Sequence, residues 1–233
     1  MFGSVVVPCY NESKNIPLIL SRFKSAMTRS DIEVILVNNG SVDDSQVVLD
    51  HELRHYPFAR SVMVPVNQGY GYGILAGLKE ARGQFIGWTH ADMQTDPADV
   101  IAAFNRISEL GSSSDLYIKG NRKGRSWIDE FFTMGMAIFE TFYLGRFLWD
   151  INAQPNVFHR SFFASWKNPP HDFSLDLYAL FQAKKQGLKL IRFEVKFPPR
   201  IHGHSSWSTG LASKWKFIKR TLVFSGSLKK RVS

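Results

Sequence analysis

The stretch "SVVVPCY", residues 4–10, is a run of β-branched and other apolar residues that leads into a polar turn. This pattern is typical of a strand buried on both faces, as in a parallel sheet covered by helices. The segment that follows, residues 11–27, has apolar residues at helical spacing, and Asn11 or Ser13 is its predicted cap. A buried strand that runs directly into an amphipathic helix predicts the start of an α/β domain.

The alternation continues outward from this stretch. Strands are predicted at residues 32–41, 59–66 and 83–90, and the helices between them at residues 43–56 and 73–82. Such alternation predicts a parallel sheet with right-handed crossovers. Because ligands in these sheets bind beyond the carboxyl ends of the strands, we expect the polar turns after the four strands to lie along one rim.

The second half of the sequence is less regular. Helices are predicted at residues 96–110, 127–149 and 175–187, and strands at residues 116–122, 156–163 and 188–197. The final segment is basic and amphipathic. The whole pattern predicts an α/β domain followed by a helical tail.

Net charge and cysteine content indicate which kinds of partner and which cellular compartment suit this protein. The 233 residues carry a formal charge of +9, which favours an anionic partner. Cys9 is the only cysteine, so no intrachain disulfide or cysteine-based zinc site is expected, and a reducing compartment is favoured. Neither a signal peptide nor a spanning helix is predicted from the sequence.

Glycines at residues 71–77, "GYGILAG", follow a predicted strand and open a helix. They imitate the dinucleotide-binding fingerprint, with Asp92 about twenty residues further on. The motif stands at the third strand rather than the first, however. Tight turning and close helix packing explain these glycines equally well.

Carboxylates follow three of the predicted strands, in "YNES", "NNGSVDDS" and "HADMQTD". A sugar nucleotide needs polar turns for its base and ribose, and hard oxygen ligands for Mg²⁺ or Mn²⁺ at its diphosphate. Glu12, Asp43 and Asp92 are therefore candidate site residues. The alternative for each is a solvated turn or a helix cap.

Four motifs in order, "VVVPCYNE", "ILVNNGSVDDS", "NQGYGYGILAGLKEARGQFIGWTHADMQ" and "RIHGHSSW", resemble family 2 glycosyltransferases of the GT-A fold. The nearest branch is the polyprenyl-phosphate sugar transferases, of the dolichyl-phosphate mannose synthase type. The resemblance implies a mostly parallel sheet with helices on both faces, in a domain of residues 1–207. This domain would divide into a nucleotide-sugar-binding half, residues 1–95, and an acceptor half, residues 96–207. The basic tail, residues 208–233, would follow it.

The resemblance also implies the activity and the donor site. The family transfers a sugar, with inversion, from a nucleoside-diphosphate sugar, with Mn²⁺ or Mg²⁺ as cofactor. The acceptor would be lipid-linked or a saccharide, in cell-surface glycan or lipid-linked sugar synthesis. The implied nucleoside pocket comprises Pro8, Tyr10, Glu12, Asn38, Asn39, Asp43 and Gly71.

Two amides stand where the family has an acidic pair that reads the base, at Asn38 and Asn39. An amide both donates and accepts hydrogen bonds, so uracil, thymine and guanine all remain open.

The implied metal motif departs from the family at one position. Asp92 matches its second acid and Gln94 follows as in the phosphate-acceptor branch, but His90 replaces the first acid. An imidazole can ligate Mn²⁺ or donate to a ribose or phosphate oxygen, or it can form a wall of the site. We therefore expect a softer metal preference, with Asp92 as the main anchor.

On the acceptor side, phosphate contacts are implied for residues in predicted basic turns: Arg122, Arg200, His202 and Ser205. The last motif has Ser206 where the phosphate-acceptor branch has lysine. A saccharide hydroxyl acceptor would instead need a carboxylate base. For that role Asp172, in a predicted loop, is preferred over Asp176, an early-turn helix acid.

The basic tail predicts a contact with a membrane surface, and a peripheral protein at the inner, cytoplasmic face of the cytoplasmic membrane. For the apolar helix at residues 127–149, core packing or a homodimer interface is favoured. A non-catalytic nucleotide-binding scaffold is the alternative function. Nucleic-acid binding ranks last, because apolar residues are interleaved with the tail's cations.

Overall fold

The computed structural model describes residues 1–124, 127–198 and 211–230. Its strands are β1 (Gly3–Cys9), β2 (Ile32–Asn39), β3 (Ala59–Val64), β4 (Phe85–Trp88), β5 (Leu116–Lys123), β6 (Asn156–His159) and β7 (Lys189–Lys196). Its helices are α1 (Ile16–Ala26), α2 (Ser45–Glu52), α3 (Tyr70–Glu80), α4 (Pro97–Glu109), α5 (Trp127–Leu144), α6 (Arg160–Ala164), α7 (Leu175–Lys185) and α8 (Leu211–Lys230). A short 3₁₀ turn, Leu53–His55, extends α2.

Within these residues the strands form one sheet in the order β3-β2-β1-β4-β6-β5-β7. Neighbours pair in parallel, except that β6 runs antiparallel to both β4 and β5. The predicted mostly parallel α/β sheet is confirmed. The predicted strand at residues 156–163 is half wrong, because β6 ends at His159, whose side chain accepts a hydrogen bond from Ser161 N and caps α6.

Helices cover both faces of the sheet. Val5 and Val7 of β1 pack in one core cluster with α1, α2 and α4, while Val6 packs in the other with α3 and α7. Successive side chains of a strand point to opposite faces, so a run of consecutive apolar residues fills both layers. The opening stretch of the sequence therefore anchors the whole α/β core.

Helix α1 begins later than the sequence predicted. Its cap is Asn15, not Asn11 or Ser13. The earlier residues are held by the turn after β2: Asn11 N and Glu12 N donate to the Ser41 and Ser45 hydroxyls at 3.0 Å and 2.9 Å. Hydrogen bonds between the two turns replace the predicted first turn of the helix.

One face of α5 is exposed to solvent. Large apolar side chains recur along it at helical spacing, and Trp127, Phe131 and Phe142 are 79%, 65% and 83% exposed. Core packing for this face, favoured from the sequence, is therefore wrong. The homodimer interface stays a prediction.

The opposite side of α5 packs on α8. The Ser225 hydroxyl donates to the buried Glu140 carboxyl at 2.7 Å, and the Lys229 ammonium lies 4.5 Å from the centre of the Tyr143 ring. Burial raises the pKa of Glu140 to about 7. Across the described ranges, no helix combines the length and apolar character needed to cross a bilayer.

Close packing of α3 on the sheet depends on Gly77. A Cβ there would lie 2.4 Å from Cγ1 of Val6 and 2.8 Å from Cγ2 of Val37, both in buried strands. We expect Gly77→Ala to destabilise the protein by about 1–3 kcal/mol through overpacking, despite alanine's higher helix propensity. Chemical denaturation measures this change.

Gly135 is the matched control for Gly77, because it also lies within a helix but a Cβ there would meet no described atom within 4 Å. We expect Gly135→Ala to stabilise by up to about 1 kcal/mol. Equal effects of the two substitutions would contradict the packing argument.

Candidate functional site

Polar turns from both halves of the chain meet at one edge of the sheet. Cys9 of β1 pairs with Asn38 of β2, and β4 runs parallel to β1, so these three strands end at the same edge. Because β6 is antiparallel, it begins there, with Asn156 opposite Trp88. The predicted rim therefore exists, and the start of β6 adds to it.

The turns after β1 and β2 are joined by the Asp43 carboxylate. It accepts from Ser13 N at 3.2 Å, and from Ser45 N and the Ser45 hydroxyl at 3.0 Å and 2.6 Å. Burial opposes ionisation, but these hydrogen bonds lower the pKa of Asp43 below its usual value. Asp43 therefore shapes the rim by holding two turns together. Tyr10 is 45% exposed beside it.

The amide pair is buried at the end of β2. Asn38 accepts from Ser41 N at 3.0 Å and donates to Gln46 Oε1 at 2.8 Å. Asn39 donates to Gly69 O at 3.0 Å, and its own Oδ1 is buried with no hydrogen-bond partner among the described residues. A buried acceptor without a partner is costly, which marks Asn39 as a candidate ligand contact.

The amino end of α3 fits tightly against the segment before α7. A Cβ on Gly71 would lie 2.7 Å from both Pro170 O and Asp172 O. Tyr72 N donates to His171 O at 2.9 Å. In this structure Gly71 therefore serves a close backbone approach, the packing role that the sequence left open.

The turn after β4 carries the predicted metal motif. Asp92 is 5% exposed, and its Oδ1 accepts from Gln94 N at 3.1 Å. The hydroxyls of Thr89 and Thr95, both buried, lie 3.0 Å apart and close the turn. Asp96 then caps α4 through Ala98 N. The turn is thus fixed at both ends, with residues 90–94 between them.

His90 is stacked rather than solvated. Its ring centre lies 5.6 Å from that of Tyr70, with 28° between the planes, and Tyr70 in turn stacks on Phe173 at 4.7 Å and 11°. The Arg220 guanidinium lies 5.3 Å from the centre of the Phe173 ring. These four residues, the ring stack, connect the metal turn to the segment before α7 and to α8.

A buried polar network lies beneath the rim. Lys119 of β5 is inaccessible to solvent, and its ammonium donates to Ala153 O and Asn156 Oδ1, both at 2.7 Å. Burial lowers the pKa of Lys119 to about 7. Asn156 and Gln154 donate to Asp176 Oδ1 at 3.1 Å and 2.8 Å.

Both candidate bases are already engaged. Asp176 is 2% exposed within this network. Asp172 accepts from Ser174 N at 2.9 Å through Oδ1, and its Oδ2 lies 3.4 Å from Arg220 Nε. Asp176 is therefore buried, and Asp172, whose side chain is 35% exposed, is paired with Arg220.

Arg122 was predicted in a basic turn, and this is wrong, because β5 continues through Lys123. The backbone N and the Nε of Arg122 both donate to the Asp150 carboxylate at 2.8 Å. The side chains of Arg122 and Asp150 are both buried. The other three phosphate-binding candidates, Arg200, His202 and Ser205, lie outside the described residues.

Sequence reasoning missed the polar and aromatic side chains behind the rim, namely Tyr70, Lys119, Gln154, Asn156 and Phe173. A lysine inside the otherwise apolar strand "LYIKG" was one available signal, because a buried lysine needs partners. The polar run "NAQPN" just before β6 was another.

The possible metal ligands in the turn after β4 fit a cation that binds together with the substrate of the protein. The part of the chain that the structure describes holds no group of three or more His, Cys, Asp and Glu side chains suited to a metal. Mg²⁺ commonly uses one or two protein carboxylates, and substrate phosphates and water complete its shell. Asp92, with His90 and Gln94 beside it, matches that smaller requirement.

Solved structures share this fold. The chain aligns with glucosyl-3-phosphoglycerate synthase from Mycobacterium tuberculosis, solved with Mn²⁺, UDP-glucose and phosphoglyceric acid, at a TM-score of 0.73 and 18% identity. That alignment covers 97% of this chain and 80% of the synthase. The same enzyme with Mg²⁺ and UDP aligns at 0.70. At this identity the likeness shows the fold alone, and it confirms the predicted GT-A architecture.

Curated relatives share part of the sequence. Undecaprenyl-phosphate 4-deoxy-4-formamido-L-arabinose transferase of Pseudomonas syringae pv. syringae is 33% identical over 132 residues, which is 54% of this chain and 38% of that protein. The transferase of the same description from Sodalis glossinidius is 34% identical over 101 residues, 42% of this chain and 31% of its own length. The chain thus spans less than half the length of these relatives.

The family model described as glycosyl transferase family 2 matches residues 4–165, well over half of the chain. The match contains the three strand-end turns and the buried network up to Asn156. This chain therefore belongs to glycosyl transferase family 2.

Proposed function

We propose that this protein transfers a sugar from a nucleoside-diphosphate sugar to a lipid-linked phosphate at a membrane surface, with inversion. The observation that carries the acceptor class is the engagement of both candidate bases. A hydroxyl acceptor needs a positioned carboxylate to take its proton, whereas a phosphate oxygen is already ionised at neutral pH. Asp172 and Asp176 are held by other groups, which favours the phosphate.

The names of the curated relatives also favour a lipid-linked phosphate as the acceptor. The curated proteins are named for undecaprenyl phosphate, a lipid-linked phosphate. The two named transferases match 54% and 42% of this chain, so their acceptor supports the proposal without transferring to it. Polyprenyl phosphate is the acceptor we infer.

The donor would lie along the rim. The nucleoside side of the site comprises Pro8 near the end of β1, Tyr10 and Glu12 in the turn after it, and Asn38 and Asn39 at the end of β2. Asp43 holds the two turns together. The buried Oδ1 of Asn39, which has no partner among the described residues, is a candidate acceptor for a donor on the nucleotide. Arg200, His202 and Ser205 remain candidate phosphate contacts.

The cation would be held by Asp92, with His90 and Gln94 beside it. A bound Mn²⁺ or Mg²⁺ supplies charge stabilisation for the departing diphosphate. Within the chain, the closed Thr89–Thr95 turn holds Asp92 in place.

A bilayer surface is the setting we infer, at the inner face of the cytoplasmic membrane. The exposed apolar face of α5 provides Trp, Phe and Ile side chains, and exposed cations lie on α8 at Lys219, Arg220, Lys229 and Lys230. An apolar face beside a basic one is typical of helices that lie in an anionic lipid interface. Lys229 contacts the Tyr143 ring on the side of α5 that packs on α8, so the helix with the exposed apolar face and the basic helix pack together.

A non-catalytic scaffold is the less favoured alternative. It would bind a nucleotide without consuming a donor sugar. The chain keeps Asp92 in a closed turn and a buried network beneath it, an arrangement that a scaffold does not require.

Asp92→Asn should abolish sugar transfer and the Mn²⁺-dependent part of nucleotide binding, because it removes the negative oxygen ligand with little change of shape. The assay follows release of nucleoside diphosphate in the presence of polyprenyl phosphate, beside calorimetric binding. Asp115→Asn is the control: Asp115 is exposed just before β5, at the opposite edge of the sheet. Full activity of folded Asp92→Asn would contradict the metal assignment.

Phe131→Glu and Phe142→Glu should each weaken binding to phosphatidylglycerol-containing vesicles by about tenfold or more, because a buried phenylalanine contributes roughly 1.5–3 kcal/mol. Vesicle co-sedimentation measures the partition. Val47→Glu is matched to Phe131→Glu, since Val47 is 68% exposed but lies on α2. If all three variants bind alike, α5 does not contact the bilayer.

A further inference from the structure

Tyr70, the first residue of α3, lies between two rings that belong to different parts of the site. His90 on one side comes from the metal turn, and Phe173 on the other comes from the segment before α7. Both pairs are close to parallel, at 28° and 11°. Offset stacks of this kind stabilise by more than the area they bury.

The Tyr70 ring is itself fixed. Its hydroxyl accepts from Gln154 Nε2 at 3.2 Å, and the same amide donates to Asp176 Oδ1. Burial, with Asp176 nearby, raises the pKa of Tyr70, so the phenol stays protonated. Anchored at its hydroxyl and at the tightly packed end of α3, the ring is a rigid surface for both neighbours.

The outer end of the ring stack is formed by α8 and the segment before α7. Arg220 of α8 lies over Phe173 and is paired with Asp172 at 3.4 Å. Phe173 is thus placed by the pairing of α8 with the segment before α7. A change in that pairing moves the ring that Tyr70 touches.

Stacking has a chemical consequence for His90. The nitrogen lone pair and N–H of an imidazole lie in the plane of its ring, so fixing the plane fixes the direction in which His90 can ligate or donate. The face of the Tyr70 ring is electron-rich and attracts a metal-bound imidazole.

We propose that Tyr70 is a positioning residue that sets the plane of His90 for the diphosphate-bound cation, and that Phe173 makes this setting depend on the acceptor segment. The juxtaposition of three stacked rings from the metal turn, α3 and the segment before α7 carries the inference. It rests on the proposed function, because it presumes a cation at the turn.

The test is calorimetric binding of UDP, GDP, dTDP and CDP to the purified chain, each with and without Mn²⁺. For the nucleotide that binds, the measured quantity is the ratio of the Kd without Mn²⁺ to the Kd with it. Tyr70→Leu and Phe173→Leu should each lower this ratio about three- to tenfold, as expected for loss of an aromatic stack. Tyr70→Phe keeps the stack and should keep the ratio.

A double-mutant cycle separates positioning from simple loss of structure. In the His90→Ala background, Tyr70→Leu should have no further effect on the ratio, because its action passes through the imidazole. Tyr56→Leu is the matched control: Tyr56 also packs against a phenylalanine, Phe58, but just before β3, at the opposite edge of the sheet. It should leave the ratio unchanged.

The outcomes separate the two proposals. If no nucleotide binds the wild-type protein with Mn²⁺, the proposed function fails. If one binds with Mn²⁺ but Phe173→Leu leaves the ratio unchanged, the coupling is overturned while the function stands. An equal effect of Tyr70→Leu with and without His90 overturns the positioning role. If Tyr70→Leu does not melt cooperatively, the Kd ratios of Phe173→Leu and His90→Ala take its place. An unchanged ratio in both variants then overturns the inference.

Discussion

The pairing of β4 with β6 is the constraint on which the site depends. Trp88 at the end of β4 lies opposite Asn156 at the start of β6, so an antiparallel strand delivers polar residues to the edge where the parallel strands end. Glycines on both sides make this possible, because a Cβ on Gly87 or Gly120 would lie within 2.2 Å of the Asn156 or Gln154 carbonyl oxygen. Because β4 and β5 have glycine at these points, residues 154–156, which belong to the buried network, can pack between the two strands.

From that pairing follows the difference between the two candidate bases. Asp176 is drawn into the network by the amides of Gln154 and Asn156, whereas Asp172 is held at the surface by Arg220. The same topology places Lys119 directly behind Asn156, as a buried cation whose pKa is lowered by burial. Electrostatics beneath the rim is therefore set by the second half of the chain, and the turns after β1 and β2 come from the first.

Much of the fold could be predicted because it is locally encoded. Runs such as residues 4–10 reveal buried strands, and the order of polar turns predicts their shared edge. The antiparallel entry of β6 could not be predicted, since a four-residue strand has the same pattern in either direction. The exposure of one face of α5 was not predicted, because the spacing of apolar residues shows that a helix has an apolar face but not what packs against that face.

The site was predicted unevenly for similar reasons. Asn38 and Asn39 end β2 and Asp92 lies in the turn after β4, so motif order predicted their place at the edge of the sheet, while their roles stay predictions. Tyr70 and Phe173 are more than 100 residues apart in sequence and meet only through packing of α3 on the segment before α7. The roles of the carried-over residues, and the division of the chain at residues 95 and 207, remain predictions.

The bridge between Thr89 and Thr95 has a consequence for the energetics of binding. Both hydroxyls are buried, and Asp96 is fixed beyond them by Arg22 and by the cap of α4. An open loop would lose backbone freedom when it closed on a ligand, at about 1–2 kcal/mol for each residue ordered. Here the ends of the turn have already lost that freedom when the chain folded. The turn is preorganised, so a ligand meets Asp92 with most of the entropic penalty already borne by folding.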